Sequence, residues 1–99
     1  MAIWFEWDAA KAHSNVRKHG VSFGLAKQVF DDPFALCEQD RIEDGERRWR
    51  TIGQVGDMVV LLVAHTHVDH EDGDEPIRII SARKATAHES RRYEQEKYR

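Results

Sequence analysis

The decisive stretch is Ile77-Arg78-Ile79-Ile80-Ser81-Ala82-Arg83-Lys84-Ala85-Thr86, a short apolar strand that carries two arginines and a hydroxyl and runs directly into a charged helix. Side chains alternate faces along a strand. Regular alternation puts Ile77, Ile79, Ser81 and Arg83 on one side and Arg78, Ile80 and Ala82 on the other. Each face then has a packing part and a polar part. A planar guanidinium fork on a rigid strand suits bidentate binding of phosphate or carboxylate. Pairing with nearby acids is the alternative use of the same side chains.

Outward from this strand, Thr86 reads as the N-cap of a helix from Ala87 to about Lys97, carrying Arg91, Arg92 and Tyr93. On the other side lies an acidic, histidine-rich loop from His65 to Pro76, preceded by Met58 to Ala64, a continuous apolar run that marks a strand buried on both faces. If the loop is a hairpin, the two strands are adjacent and antiparallel. Arg47 to Gln54 reads as a strand with Arg48, Arg50, Ile52 and Gln54 on one face, followed by a turn at Val55-Gly56-Asp57. Phe34 to Glu38 is a short strand and Gln39 to Glu46 a polar loop. At the start, Ile3 to Trp7 is a strand, Asp8 an N-cap, Ala9 to His19 a helix and Gly20 its left-handed terminator. Ser22 caps a second helix through Phe30 that Asp31-Asp32-Pro33 stops. The expected architecture is α+β: helices on one side of a mainly antiparallel sheet, comprising an N-terminal helical hairpin and a C-terminal helix.

Ninety-nine residues have room for one domain, spanning 1–99. With 40% hydrophobic and 33% charged residues, two prolines and six glycines, the composition is globular. Cys37 stands alone, which excludes an internal disulfide framework and fits a reducing compartment. The N-terminus lacks a basic region followed by an apolar run, and no apolar stretch approaches the roughly 20 residues that span a bilayer. A cytoplasmic protein without membrane association is expected. The formal charge of −3 argues weakly against nucleic-acid binding, but its distribution is uneven. Residues 31–46 hold seven acids and one base, and residues 78–99 seven bases and three acids, so an acidic end and a basic end are expected.

Two constellations carry candidate chemistry. His65-x-His67-x-Asp69-His70 matches the HxHxDH string of metallo-β-lactamase-like hydrolases, whose ligands hold two zinc ions. That fold needs further ligands from a much longer chain, and here only His88 follows, in a helix. A solvated hairpin turn is the plainer reading, and no metal or other cofactor is expected. The second constellation is cationic: Lys11 and His19 on the first helix, Arg50, Arg78 and Arg83 on strands. RNA cleavage without metal requires deprotonating a 2′-hydroxyl, stabilising a phosphorane and protonating the 5′ leaving oxygen. Arginine and lysine supply charge, and histidine moves protons. Trp7 and Trp49 have the planar faces on which bases stack. Each residue also has a plain structural use, Trp7 in packing and His19 as a helix-terminal cation.

The segments Phe5-Glu6-Trp7-Asp8, Lys11, Asn15, Lys18-His19-Gly20-Val21-Ser22-Phe23, Val29-Phe30-Asp31-Asp32-Pro33, Arg48-Trp49, Thr51-Ile52-Gly53 and Ile77 to Arg83 together resemble the BrnT family of type II toxins, in order and over essentially the whole chain. The resemblance implies a compact RelE-like ribonuclease fold, metal-independent endoribonuclease activity and inhibition of translation and growth. It also implies neutralisation by a BrnA-type ribbon-helix-helix antitoxin, with operator DNA bound only through the antitoxin complex. Trp7, Lys11, His19, Arg50, Arg78, Ser81 and Arg83 fall at its motif positions. On that basis Lys11, His19, Arg78 and Arg83 are nominated as catalytic, and Trp7, Arg50 and Ser81 as RNA-binding. Two other readings stay open: a non-catalytic module that binds its antitoxin, and a small metal-dependent hydrolase using His65, His67, Asp69 and His70.

Overall fold

Local capping chemistry sets the first helix. In the computed structural model, which describes residues 3–57, 59–67 and 75–99 and leaves aside the side chains of His67 and Glu75, strand β1 (Ile3–Glu6) leads into α1 (Ala9–His19). The Asp8 carboxylate accepts the backbone N–H groups of Ala10 at 2.8 Å and Lys11 at 3.0 Å. At the other end Gly20 takes a left-handed φ of 70° and donates to the Val16 carbonyl, a conformation any Cβ would disfavour. The expected second helix is shorter: α2 (Phe23–Ala26) is a single turn, capped by Ser22, that tightens into a 3₁₀ turn over Lys27–Asp31. The remaining elements are β2 (Leu36–Glu43), β3 (Glu46–Val55), β4 (Val59–His67), β5 (Glu75–Lys84) and α3 (Ala87–Lys97).

The five strands form one mixed sheet in the order β1-β5-β4-β3-β2. β2 to β5 pair antiparallel in sequence, whereas β1 lies parallel on the outer edge of β5. The expected polar loop from Gln39 to Glu46 is instead a hairpin: Asp44 (φ 53°) and Gly45 (φ 77°) make a two-residue turn, and the strands run up to it. Consecutive positive φ angles match the twist of flanking strands. An edge strand with both faces wet tolerates the polar composition that concealed it.

Helices cover both faces of the sheet, and not one side alone. Phe23, Ala26 and Val29 pack with Leu61, Val63, Ile79 and Ala82 on one face. Ile52 and Leu62 alternate to the opposite face, where Tyr93 of α3 covers them. An apolar central strand leaves hydrophobic area on both sides, so one helical layer cannot bury it all. The first layer comes very close at Gly53. A Cβ there would stand 2.7 Å from Val29 Cγ1 and 3.1 Å from the Val29 carbonyl oxygen.

His65 belongs to β4 and not to a loop; it is only 1% exposed, its Nε2 lies 2.8 Å from Thr51 Oγ1, and its ring stands edge-on to Phe30 at 4.9 Å. β4 extends through His67, and Asp69 and His70 fall outside the described residues. Among the described residues no helix is long and apolar enough to cross a membrane.

Three side chains of α3, spaced to share one helix face, fasten it. Glu89 completes a capping box with Thr86 and accepts both Nη atoms of Arg83, at 2.7 and 3.0 Å. Arg92 grips Glu38 of β2. Tyr93 donates its hydroxyl to Asp32, which also accepts the backbone N–H groups of Gln54 and Phe34. Burial opposes charge on Asp32, but these donors and Lys97 hold its carboxyl below the ordinary value. The same burial, with Asp32 beside it, pushes the Tyr93 phenol up.

Two stability measurements follow from this geometry. Gly53→Ala forces Val29 and the 3₁₀ turn off β3, and we expect a loss of ~1–3 kcal/mol in urea unfolding; an unchanged midpoint would show that the contact yields freely. For Glu89, the Arg83 hydrogen bond acts first, outweighing burial, and takes the carboxyl from 4.5 to about 2. A depressed folded pKa gives stability that is complete above 4.5 and lost as pH falls toward 2. The gap in unfolding free energy between wild type and Glu89→Gln is therefore expected to narrow over that acid window. A gap that stays constant from pH 5 downward, measured by urea titration, would rule the linkage out.

Candidate nucleic-acid interface

The strand of the opening stretch does not alternate regularly. Arg83 stands opposite Leu62, Ser81 opposite Ala64 and Arg78 opposite Thr66, but His65 faces Ile79, so Ile80 is one residue too many. Such a bulge accommodates two residues against one. Leu62, Ala64 and Thr66 share one face of β4. Arg78, Ser81 and Arg83 therefore share that face too, which corrects the expectation that the two arginines point to opposite sides. The row continues across the sheet, because Ala64 pairs with Arg50 and Arg50 with Glu38. Arg48 has the same parity on β3 as Arg50. One half of this face lies under Tyr93; the other half, floored by Ala64 and Thr66, is ringed by arginines.

Each of these arginines meets a carboxylate. Arg83 is bidentate on Glu89, Arg78 bonds Glu46, Arg50 Nε donates to Glu38 at 2.9 Å, and Arg48 Nη1 lies 3.1 Å from Glu43. Hydrogen bonding to the Glu89 carboxylate raises the Arg83 pKa against the effect of burial, so the guanidinium is charged at every relevant pH. For Glu38 the Arg92 hydrogen bond comes first and burial works against it, with Arg50 adding to a carboxyl held below its ordinary value. Both partners of the Arg83–Glu89 and Arg92–Glu38 pairs are therefore ionised. The face is a lattice of alternating charges, partly open to water.

The helical candidates assemble next to the bulge. Lys11, Ser14, Asn15, Lys18 and His19 of α1 line a depression of about 250 Å³ together with Ile80 and Ser81. Spacings of three, four and seven place Lys11, Ser14, Asn15 and Lys18 on one helix face. Buried Asn15 holds this face to β5: its amide nitrogen donates to the carbonyls of Ala82 and Val21, both at 2.8 Å, and its Oδ1 accepts the Ala82 N–H at 3.1 Å. β1 pairs with β5 only as far as Arg78, so the amide stands in for the strand that is missing beyond it. Ser81 belongs both to the depression and to the arginine row. Lys11, His19 and Ser81 are thus brought together, and Ser81 links them to Arg50, Arg78 and Arg83.

Trp7 sits elsewhere. It is 39% exposed, and its ring stands edge-on to Phe23 of the core at 6.0 Å, on the side of the sheet away from the arginine row. With His65 buried against Thr51 and Phe30, the HxHxDH string does not present its first histidine to a common site, and no cluster of metal-ligating side chains occurs among the described residues. Arg92, Glu38, Glu89 and Asn15 were not among the nominated residues. The Glu89-to-Arg92 spacing on a helix that begins four residues after Arg83 was the available signal for two of them; nothing local marks Asn15 or Glu38.

Comparison with known proteins bears on the whole arrangement. A family model described as the ribonuclease toxin, BrnT, of type II toxin-antitoxin system matches residues 7–89. Comparison with curated proteins gives no match. Among solved structures, the crystal structure of the Brucella abortus ribonuclease toxin BrnT superimposes with a TM-score of 0.61 at 24% sequence identity, covering 87% of this chain and 99% of that one, which is a likeness of fold. With the family model extending from Trp7 through Glu89, the chain belongs to the BrnT family of ribonuclease toxins of type II toxin-antitoxin systems.

Proposed function

We propose that this chain is an endoribonuclease toxin, a single domain acting in the cytoplasm, that cleaves RNA without a metal ion and so stops translation and growth. The observation that carries this reading is the bulge in β5, which turns Arg78, Ser81 and Arg83 toward one face in line with Arg50. Three cations around a small hydroxyl suit a phosphodiester whose charge grows in the transition state. In the reaction the 2′-oxygen attacks phosphorus, the bond from phosphorus to the 5′-oxygen breaks, and a cyclic phosphate and a 5′-hydroxyl result. One proton leaves the 2′-hydroxyl and one reaches the 5′-oxygen. Arg78 and Arg83 stabilise the phosphorane, Lys11 and Arg50 hold the flanking backbone, and Ser81 orients a phosphate oxygen. His19, which lines the same depression as Ser81, moves a proton. Trp7, on the other side of the sheet from the arginine row, offers its exposed part to a base beyond the row. Dependence on the 2′-hydroxyl restricts the substrate to RNA.

The partner of this reading is a BrnA-type ribbon-helix-helix antitoxin, through which alone the complex meets operator DNA. Acidic groups of the partner would satisfy the same arginines that Glu38, Glu46 and Glu89 satisfy in the free chain. That full pairing favours a second reading, in which the chain binds its antitoxin but does not cleave RNA.

Induced expression in a bacterial host, followed by incubation of purified protein with RNA in EDTA, separates the two. Growth arrest and EDTA-resistant cleavage are expected, and a folded protein that does neither is the binding module. Arg83→Ala is expected to lower cleavage by at least ~100-fold, the scale of one lost transition-state donor. Glu89→Gln breaks the same ion pair but keeps the arginine, so it should retain cleavage. Equal losses in both variants would assign Arg83 to holding α3 and remove it from the site.

A further inference from the structure

Glu38 is held in a way the other carboxylates of the face are not. Its Oε1 accepts Arg50 Nε at 2.9 Å and Arg92 Nη1 at 3.1 Å, and its Oε2 accepts Arg92 Nη2 at 2.8 Å. Three N–H groups from two guanidinium groups, one on β3 and one on α3, converge on a single small anion. This is the donor geometry that a phosphate satisfies with equal ease. The three side chains remain reachable from water, at 37% exposure for Arg50, 36% for Arg92 and 26% for Glu38. Glu38 comes from β2, which among the described residues is an edge strand with no strand on its outer side, so it can swing away without disturbing the core. α3 would stay in place when it does, because Tyr93 remains packed on Ile52 and Leu62 and bonded to Asp32, and Glu89 remains on Arg83.

The row pairing Glu38 to Arg50, Arg50 to Ala64 and Ala64 to Ser81 places this anion position in register with the bulge. Strands lie ~4.8 Å apart, so it is three strands, on the order of 14 Å, from Ser81. That separation is about two nucleotides of extended backbone, which makes it a subsite for a flanking phosphate and not for the scissile one. We propose that Arg92 and Arg50 form a phosphate subsite for single-stranded RNA and that Glu38 occupies it in the free protein as an internal stand-in for the phosphate. The inference rests on the ribonuclease reading and assigns to its substrate path a residue, Arg92, that the family motif positions do not include.

A purely structural Glu38–Arg92 tie and a masked phosphate subsite differ in sign. In the subsite, removing Glu38 removes a competitor and tightens RNA binding, whereas removing Arg92 removes a ligand and weakens it. The full chain, Glu38→Gln and Arg92→Gln are titrated against a labelled single-stranded RNA with 2′-O-methyl riboses, which cannot be cleaved, at several salt concentrations. Glu38→Gln should bind about fivefold more tightly, the scale of one partly exposed ion pair. Arg92→Gln should bind about tenfold more weakly, with its log–log salt slope shallower by ~0.7, one single-strand phosphate contact. Glu38→Ala serves as a second relief variant and should move with Glu38→Gln. Weakening by both the Glu38 and Arg92 variants with unchanged salt slopes would overturn the subsite in favour of a structural tie. Loss of antitoxin binding in Arg92→Gln with unaltered RNA binding would overturn it in favour of a partner contact. Cleavage of unmodified RNA by the unaltered chain is followed alongside. Cleavage with the wrong signs sinks the subsite alone, and neither binding nor cleavage sinks the ribonuclease reading with it.

Discussion

One extra residue in β5 decides which face of the sheet the arginines of that strand take. Period-two alternation would set Arg78 and Arg83 on opposite faces, one of them among Phe23, Val29 and Leu61, where a guanidinium would lose its water without gaining a partner. Accommodating Ile80 as a bulge removes that conflict. It lets Ile77, Ile79 and Ala82 stay with the core while Arg78, Ser81 and Arg83 all look outward. The same irregularity places Ile80 and Ser81 at the edge where α1 crosses, and there Asn15 completes the hydrogen bonding of Ala82. The bulge therefore couples three things: a dry core on one side, a cationic row on the other, and the docking of the helix that brings Lys11 and His19.

α3 depends on that outcome. Its sequence is too polar to be a stable isolated helix of eleven residues, and Tyr93 is its one buried side chain. What keeps it on the sheet is a series of contacts along one face, Glu89 to Arg83, Arg92 to Glu38 and Tyr93 to Asp32, each reaching a different element. Were Arg83 turned to the other face, the first of these would vanish and the N-terminal turn of α3 would lose its link to β5. The arginine proposed to face substrate is thus also the arginine that positions the helix above it, and the carboxylate doing so is simultaneously the capping-box residue of that helix.

Much of the fold was legible because it rests on local chemistry. Asp8, Gly20, Ser22 and Thr86 cap as their types dictate, and the apolar run before His65 is the central strand. What the chain concealed has particular causes. The hairpin at Asp44-Gly45 was hidden by polar strands, since an edge strand carries no hydrophobic alternation. Burial of His65 was hidden by the string around it, because a sequence of potential ligands reads the same whether the first faces solvent or Phe30. The bulge was hidden because β5 read alone alternates perfectly well; only the register against β4 shows that Ile80 is surplus. Asn15 is a contact across 67 positions in the chain, for which nothing near it in sequence gives notice. The cationic positions themselves were visible, while their partners were not.

Those partners resolve the apparent conflict between a net charge of −3 and a nucleic-acid reading. The acidic segment and the basic segment do not form two ends of the molecule. They interleave, with Glu38 and Glu46 of the β2–β3 hairpin set against Arg92 and Arg78, while Glu43 meets Arg48 within the hairpin itself. A lattice of this kind has little long-range field, so it does not gather polyanions from a distance as a bare basic patch does. On the ribonuclease reading its selectivity would act at contact, where an incoming anion must replace a carboxylate that is already well bonded. Isolated phosphates exchange one weak pair for another and gain little. A strand of linked phosphates replaces several at once, and after the first exchange the later ones are intramolecular, which favours a polymer over its monomers without requiring net positive charge.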